Sequence, residues 1–283
     1  MSAGTVTMVA EPTAGAPGTP ATSGSPAGAS RPFGRFRNVH QEFRQDSGRP
    51  LVAIEDISFD LAEGTLVSLL GPSGCGKTSF LKIVAGLAEA TYGVVEIRGQ
   101  QVTRPQPDFG FVFQQANLMP WRTVLDNVLF PMEILRRKDA AAKRRALELL
   151  ALVGLSGFEN ARPSQLSGGM QQRAALCRAL VHEPKLLLMD EPFGALDELT
   201  RMEMHDLLLQ IRKVTNATTL FVTHSISEAV YLSDVIVAFS KRPARIADYI
   251  EVDLPYPRTP ALRYDAAFTG YEHRAGIALG ITR

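Results

Sequence analysis

Cysteine, net charge and long apolar runs are all scarce in this sequence, and each scarcity excludes something. Only two cysteines occur in 283 residues, Cys75 and Cys177, in unlike surroundings. They make neither a disulfide framework nor a metal-ligand cluster, and their number suits a reducing compartment. The formal net charge is +1, which argues against a dedicated nucleic-acid binder while leaving room for a local basic patch. No run reaches the roughly 18 apolar residues that a membrane-crossing helix needs. No internal repeat is evident. Residues 1–30 are nearly all Ala, Gly, Pro, Ser and Thr, without the basic start and continuous apolar run of a signal peptide. Such a segment buries too little apolar surface to offset its ordering entropy, so a disordered tail is expected there. On these grounds the chain is expected in the cytosol, free or attached to something else.

What is present is an ordinary globular composition, 45% hydrophobic, enough for one large domain or one domain with a smaller subdomain. Folding is expected to begin near Arg31. RNVHQEF and AIEDISFDLAEG alternate apolar and polar residues, reading as two strands joined by a polar turn. TLVSLL reads as a buried strand running into a glycine-rich loop. SFLKIVAGL after it has helical periodicity, with Phe80, Ile83, Val84 and Leu87 on one face. VVEIRG and FGFVFQ read as further strands. From Thr123 to about Gly157 good helix formers and charges dominate, and LSGGMQQRAALCRALV follows, so a helical subdomain is expected at about 123–180. KLLLMDE, TTLFVTH and DVIVAFS then read as buried strands. Between the first two, LTRMEMHDLLLQIRKV places Leu199, Met204, Leu207, Leu208 and Ile211 at roughly helical spacing. Strands alternating with helices imply an α/β fold with a mostly parallel core sheet and ligands at the strands' carboxyl ends. The last forty residues, rich in Pro, Arg and Tyr, are too short for an independent domain, and 253–283 is expected to be a short extension.

GPSGCGKT, Gly71 to Thr78, fits G-x-x-x-x-G-K-[ST] between a buried strand and a helix. Gly71, Gly74 and Gly76 let the backbone fold around phosphates. Lys77 is placed to reach the β- and γ-phosphates and Thr78 to offer its hydroxyl to Mg²⁺. Cys75 reads as a small loop residue rather than a redox centre. In LLLMDEP four apolar residues bury a strand and Asp190 emerges at its carboxyl end, where it can hold Mg²⁺. If the strand ends there, Glu191 can turn toward the γ-phosphate, orient a water and accept its proton. Gln114 ends FGFVFQ, and its neutral amide can ligate Mg²⁺ or hold the attacking water; taken alone it reads better as an exposed strand-end amide. His224 ends TTLFVTH, and a lone histidine is usually structural. LSGGMQQR, Leu166 to Arg173, reads as a helix start with small residues at its tip. Such a tip binds anions, and Ser167 as an ordinary N-cap explains it as well.

GPSGCGKT, VFQ, LSGGMQQR, LLLMDEP, GALD and THS occur in this order, with a helical segment between the second and third. That pattern resembles the ATP-binding subunits of ABC transporters over roughly Phe33 to Val252, and LSGGMQQR is the most diagnostic piece. The resemblance implies a P-loop nucleotide-binding domain over 31–252, with an N-terminal antiparallel β part, a mostly parallel core sheet and an inserted α-helical subdomain. It implies ATP and Mg²⁺ as cofactors and two copies packed head to tail. Gly71, Pro72, Ser73, Gly74, Cys75, Gly76, Lys77, Thr78 and Ser79 of one copy would hold the triphosphate. Ser167, Gly168, Gly169 and Gln171 of the other would close over it. Thr78, Gln114 and Asp190 would serve the metal, Glu191 as general base, His224 as a switch at the γ-phosphate and Asp197 of GALD as a cross-dimer contact. Gln114 would also couple the site to a membrane partner. Phe43 would stack on adenine, with Phe36 nearby and a strand aromatic commonly core. The first helical turn reads TSF where STL is commoner, which leaves Thr78 in its role.

One nucleotide domain, no membrane span and no long coiled-coil insertion leave a separate subunit docked on permease subunits, as in bacterial importers. Its place would be the cytoplasmic face of the inner membrane, with a periplasmic or lipoprotein solute-binding protein as an indirect partner and no nucleic acid. The tail after Asp253 leaves no room for the β-rich regulatory domain of sugar-importer ATPases. ANLMPWRTVLDNV and KRPARIADYIEVDLPYPR look like the nitrate, sulfonate and taurine importer branch. MPW also reads as a loop plugging apolar side chains against the helical subdomain. The rival from another class is a soluble ATPase that uses the same dimer switch on a protein or nucleic-acid partner. A P-loop kinase fails on the signature stretch.

Overall fold

Alternation of inward apolar residues, interrupted by register shifts in its first strand, builds the first sheet. β1 (Gly34–Arg44) pairs antiparallel with β2 (Pro50–Leu61) and β4 (Tyr92–Ile97), and β4 with the short β5 (Gln100–Gln101), in the order β2-β1-β4-β5. Ile57, Phe59 and Leu61 of β2 are buried while the residues between them are exposed, as a sheet with one dry face requires. In this computed structural model the described residues are Met1, 31–44, Gly48 and 50–281, so the tail expected at 1–30 falls outside them apart from Met1.

The second sheet has the order β10-β9-β3-β8-β7-β6. Its strands are β3 (Leu66–Leu70), β6 (Phe109–Val112), β7 (Leu186–Asp190), β8 (Thr218–Thr223), β9 (Val235–Phe239) and β10 (Ile246–Glu251). All neighbours run parallel except the edge pair β9–β10. Every residue of β3 and β8 is buried; strands covered on both faces read as continuous apolar runs instead of alternating ones. Helix α1 (Lys77–Val84) follows β3. α2 (Val124–Ile134), α3 (Ala140–Leu152) and α4 (Gly168–Leu180) fall between β6 and β7, and α5 (Glu198–Thr215) and α6 (Ile226–Leu232) flank β8.

Two apolar clusters hold these layers. One lies between the antiparallel sheet, α1 and the parallel sheet. There Phe80 of α1 meets Phe36, Phe59 and Phe239 with ring centroids 5.2, 5.8 and 5.9 Å away. The other joins the α2–α4 helices to α5, α6 and the opposite face of the parallel sheet.

Several expectations need correction. Leu87 is not on the buried face of the first helix: α1 stops at Val84, the chain turns at Gly86 (φ 69°), and Leu87 is 53% exposed. The amides of Gly86 and Leu87 close this end on the carbonyls of Ile83 and Lys82, a glycine-terminated helix end. Leu199 sits in the first turn of α5 and is 76% exposed, while Met204, Leu207, Leu208 and Ile211 are buried. FGFVFQ leaves the sheet at Val112, so Gln114 lies two residues beyond it. The Phe113 carbonyl accepts a side-chain amide from Gln172 there. β10 and α7 (Ala266–Ala278) have no counterpart in the sequence reading; α7 buries Phe268 and Ala275 against α6 and β10.

Phe80→Ala removes the ring at the centre of the aromatic cluster. It is expected to cost about 3–5 kcal/mol, read as a fall in the denaturant midpoint at constant slope.

Candidate active site

β3 runs straight into the glycine loop, and the loop closes around a charge. The Lys77 ammonium donates to the carbonyls of Gly71 (2.7 Å) and Pro72 (2.9 Å) and lies 3.6 Å from Glu191 Oε1, with the residue only 3% exposed. Gly76 makes the turn into α1 at φ 135°, and a methyl group there would stand 2.9 Å from the Ala53 carbonyl oxygen. Cys75 is buried, and burial pushes its thiol up against the opposing pull of Lys77. That is the state of an inert loop residue.

The ends of β7 and β8 bring the other groups to the same place. Asp190 Oδ1 accepts the Thr78 hydroxyl at 2.8 Å. Burial raises its carboxyl above the ordinary aspartate range, the Thr78 bond opposes this, and Glu191 adds to it. Glu191 leaves the strand at φ 43°, so strand alternation stops there and its carboxylate turns toward Lys77. Its Oε2 lies 3.1 Å from Nδ1 of His224, the residue directly after β8. The carboxyl ends of β7 and β8 thus present a carboxylate over a hydroxyl and a second carboxylate between an ammonium and an imidazole.

Phe43 and Phe36 part company. Phe36 is fully buried in the aromatic core, whereas Phe43 is exposed and lines one pocket with Gly74, Gly76, Lys77, Thr78, Ser79 and Glu191. Arg242 lines the same pocket and donates to the Gly74 carbonyl through Nε and Nη2. Sequence reasoning missed it. The only signal is a cation in the turn after a strand whose carboxyl end faces the loop.

The signature segment and GALD are both helix starts. Ser167 caps α4 by accepting from the Met170 amide at 3.2 Å, and Asp197 caps α5 by accepting from the Thr200 amide at 3.0 Å and its hydroxyl at 2.7 Å. These bonds hold the Asp197 carboxyl below its ordinary value. The two tips touch: a methyl group on Gly169 would come within 2.7 Å of Thr200 Cγ2, while Gly168 faces open space. Arg173 reaches from α4 to Glu203 of α5 at 2.8 Å. Gln171 turns its amide inward to the carbonyls of Pro163 and Leu166. Gln114 is exposed and carries its amide near Gly194, in the turn after Glu191. In MPW the reading as an apolar plug fails for Trp121, which is 72% exposed; Asn127 holds the loop by bonds with the Met119 backbone in both directions.

Both caps give testable consequences for the nucleotide-free protein. Ser167→Ala is expected to cost about 1 kcal/mol at any pH. Asp197→Ala is expected to lower the melting temperature at neutral pH. Because the folded value is depressed, that advantage of the parent exists above the ordinary 3.8 and is lost as pH falls through the folded value. Melts across the acid range read both.

Comparison with known proteins points the same way. Residues 54–194 match the family described as ABC transporter. An uncharacterized ABC transporter ATP-binding protein of Methanocaldococcus jannaschii, MJ0412, is 47% identical over 75% of this chain and 79% of its own length. The aliphatic sulfonates import ATP-binding protein SsuB of Bacillus cereus is 44% identical over 79% of this chain and 88% of its own. Among solved structures, the dimeric post-hydrolysis state of the ATP-binding cassette MJ0796 bound to ADP and Pi superposes with a TM-score of 0.69 at 32% identity. It covers 78% of this chain and all of that one. A strand-fed glycine loop, paired carboxylates at the end of β7 and relatives of this closeness leave one conclusion: the chain belongs to the ABC transporter ATP-binding family and is an ATPase.

Proposed function

We propose that this chain powers import of a sulfonate, taurine, nitrate or a similar small solute, working as a head-to-tail dimer that closes on ATP and reopens on hydrolysis. The observation that carries the dimer is a separation. The pocket holding Phe43, Lys77, Thr78 and Glu191 includes no residue of Leu166–Arg173, and among the described residues no hydrogen bond joins that segment to the phosphate loop. A capped helix tip with Ser167 and Gly168 exposed and no nucleotide of its own is best used on the nucleotide of a second copy. The relative named for dimeric packing and the relative named for aliphatic sulfonate import support the two halves of this reading.

In this reading the triphosphate takes over the Lys77 ammonium from the carbonyls of Gly71 and Pro72, and Phe43 covers the base. The donor set fits Mg²⁺: a hydroxyl and a half-buried carboxylate, both hard oxygens 2.8 Å apart, with few protein ligands as this cation prefers. Thr78 and Asp190 would hold it with the Gln114 amide nearby, and when bound it neutralises charge on the β- and γ-oxygens. Glu191 takes the proton from the attacking water, with the half-exposed His224 ring beside it to meet the γ-phosphate. Permease helices would lie in the groove beside Gln114 and Trp121, at the cytoplasmic face of the membrane. Among the described residues no helix is long and apolar enough to cross a membrane. A periplasmic or lipoprotein solute-binding protein would deliver the solute.

Glu191→Gln is expected to slow hydrolysis by about 10²–10⁴-fold while leaving ATP binding intact. Hydrolysis at the parental rate removes the general-base assignment. In the source organism the same change is expected to abolish growth on an alkanesulfonate or taurine as sole sulfur source and to spare growth on sulfate. Unaffected growth on the sulfonates moves nitrate to the front.

A further inference from the structure

An open cavity of about 730 Å³ lies between α5 and residues 256–260, a size typical of small-ligand sites. It is far from the nucleotide pocket. Gly64, just before β3, and Asn216, just before β8, stand at its edge, whereas the phosphate loop and His224 follow those strands at their other ends. Five to six residues of strand separate the two sites by about 17–20 Å.

Three cations stand at the cavity wall: Arg212, Lys213 and Arg258. Arg212 is paired with Asp234. The wall's own carboxylate, Asp206, accepts the Tyr231 hydroxyl at 2.6 Å. Among the described residues Lys213 and Arg258 have no carboxylate partner. Arg258 is the unusual one, being only 6% exposed. Its Nη1 donates to the carbonyls of Val230 (3.1 Å) and Tyr231 (2.9 Å) at the end of α6. Its Nε and Nη2 are buried and have no partner among the described residues. Those two nitrogens form one edge of the guanidinium fork, the geometry that takes an oxyanion with two parallel bonds. The protein uses that same edge elsewhere: Arg245 binds Glu55 with it at 3.2 and 2.7 Å, and Arg274 binds Asp248 at 2.9 and 3.0 Å. A buried guanidinium edge without an acceptor is costly to fold.

We infer that this cavity binds a small organic oxyanion, its carboxylate or sulfonate head on the Nε/Nη2 edge of Arg258 with Lys213 close by. The short apolar body of the ligand lies against Leu209 and Pro260. Tyr256 stands over the guanidinium, 4.4 Å from ring centre to Cζ, with its hydroxyl bonded to Arg212 and Asp234; the head reaches the edge by displacing this half-exposed ring from those two partners. Arg258 also holds the last carbonyls of α6, the helix that begins two residues after His224, so the ligand would sit on a residue that ties the C-terminal segment to that helix. The inference is independent of which solute, if any, the dimer imports.

The test is a titration of the full chain saturated with Mg²⁺ and a non-hydrolysable ATP analogue, which fills the phosphate loop. The Arg258 Nε–H resonance, assigned by its loss in Arg258→Gln, is followed as 1-butanesulfonate, pentanoate or methanesulfonate is added. A saturable shift with at least one of the first two is expected, tighter for butanesulfonate than for methanesulfonate. It is expected to weaken about ten-fold or more in Lys213→Glu, a change on an exposed side chain that leaves the fold intact. No saturable shift, equal binding of the two sulfonates, or unchanged affinity in Lys213→Glu overturns the inference.

Discussion

Lys77 carries its ammonium where only 3% of the residue meets solvent, and the nucleotide side of the molecule is arranged around that fact. A buried cation is tolerated only when hydrogen-bonded and paired. The loop supplies two carbonyls and β7 supplies the Glu191 carboxylate. Both depend on β3, β7 and β8 being parallel neighbours in register: Leu70 stands beside Thr223, and Asp190 beside Val222. The register delivers Gly71, Glu191 and His224 to one edge without any of them being near another in sequence. Phosphates entering the loop would meet an ammonium already desolvated, where charge acts more strongly than in water.

The signature helix and the Asp197 helix obey a different constraint. Each begins in solvent and must satisfy its own free amides. Ser167 and Asp197 do this as N-caps, and Gly169 lets Thr200 approach. Capping and nucleotide contact therefore do not compete as readings of these residues. A capped first turn held at a fixed distance from its neighbour is what a preformed anion-binding face needs. Gln172 links the same helix to the Phe113 carbonyl beside Gln114. The signature helix and the segment carrying the Gln114 amide thus share one hydrogen-bonded connection, as would be needed if ATP-driven closure is to reach a membrane partner.

The sequence alone determined the alternation of strands and helices that fixes the fold class, and it singled out the positions proposed to carry the chemistry. Gly71–Thr78, Asp190 and Glu191 stood out in the sequence because those residue types at those spacings suit phosphate binding and metal ligation, and the structure brings Lys77, Thr78, Asp190 and Glu191 together. Buried parallel strands announce themselves as short apolar runs. Only the tertiary structure separated Phe36 from Phe43: both lie in β1, but Phe36 is buried in the aromatic core and Phe43 is exposed beside the phosphate loop. It alone placed Arg242 on the phosphate loop and Thr200 against Gly169, contacts made across sheet and helix neighbours far apart in the chain. It ended β6 at Val112 and exposed Leu87 and Leu199, because helix and strand ends are set by which backbone amides find partners and not by apolar spacing. And it revealed β10, α7 and the unpaired edge of Arg258, whose surroundings exist only once the C-terminal segment has folded back against α5 and α6.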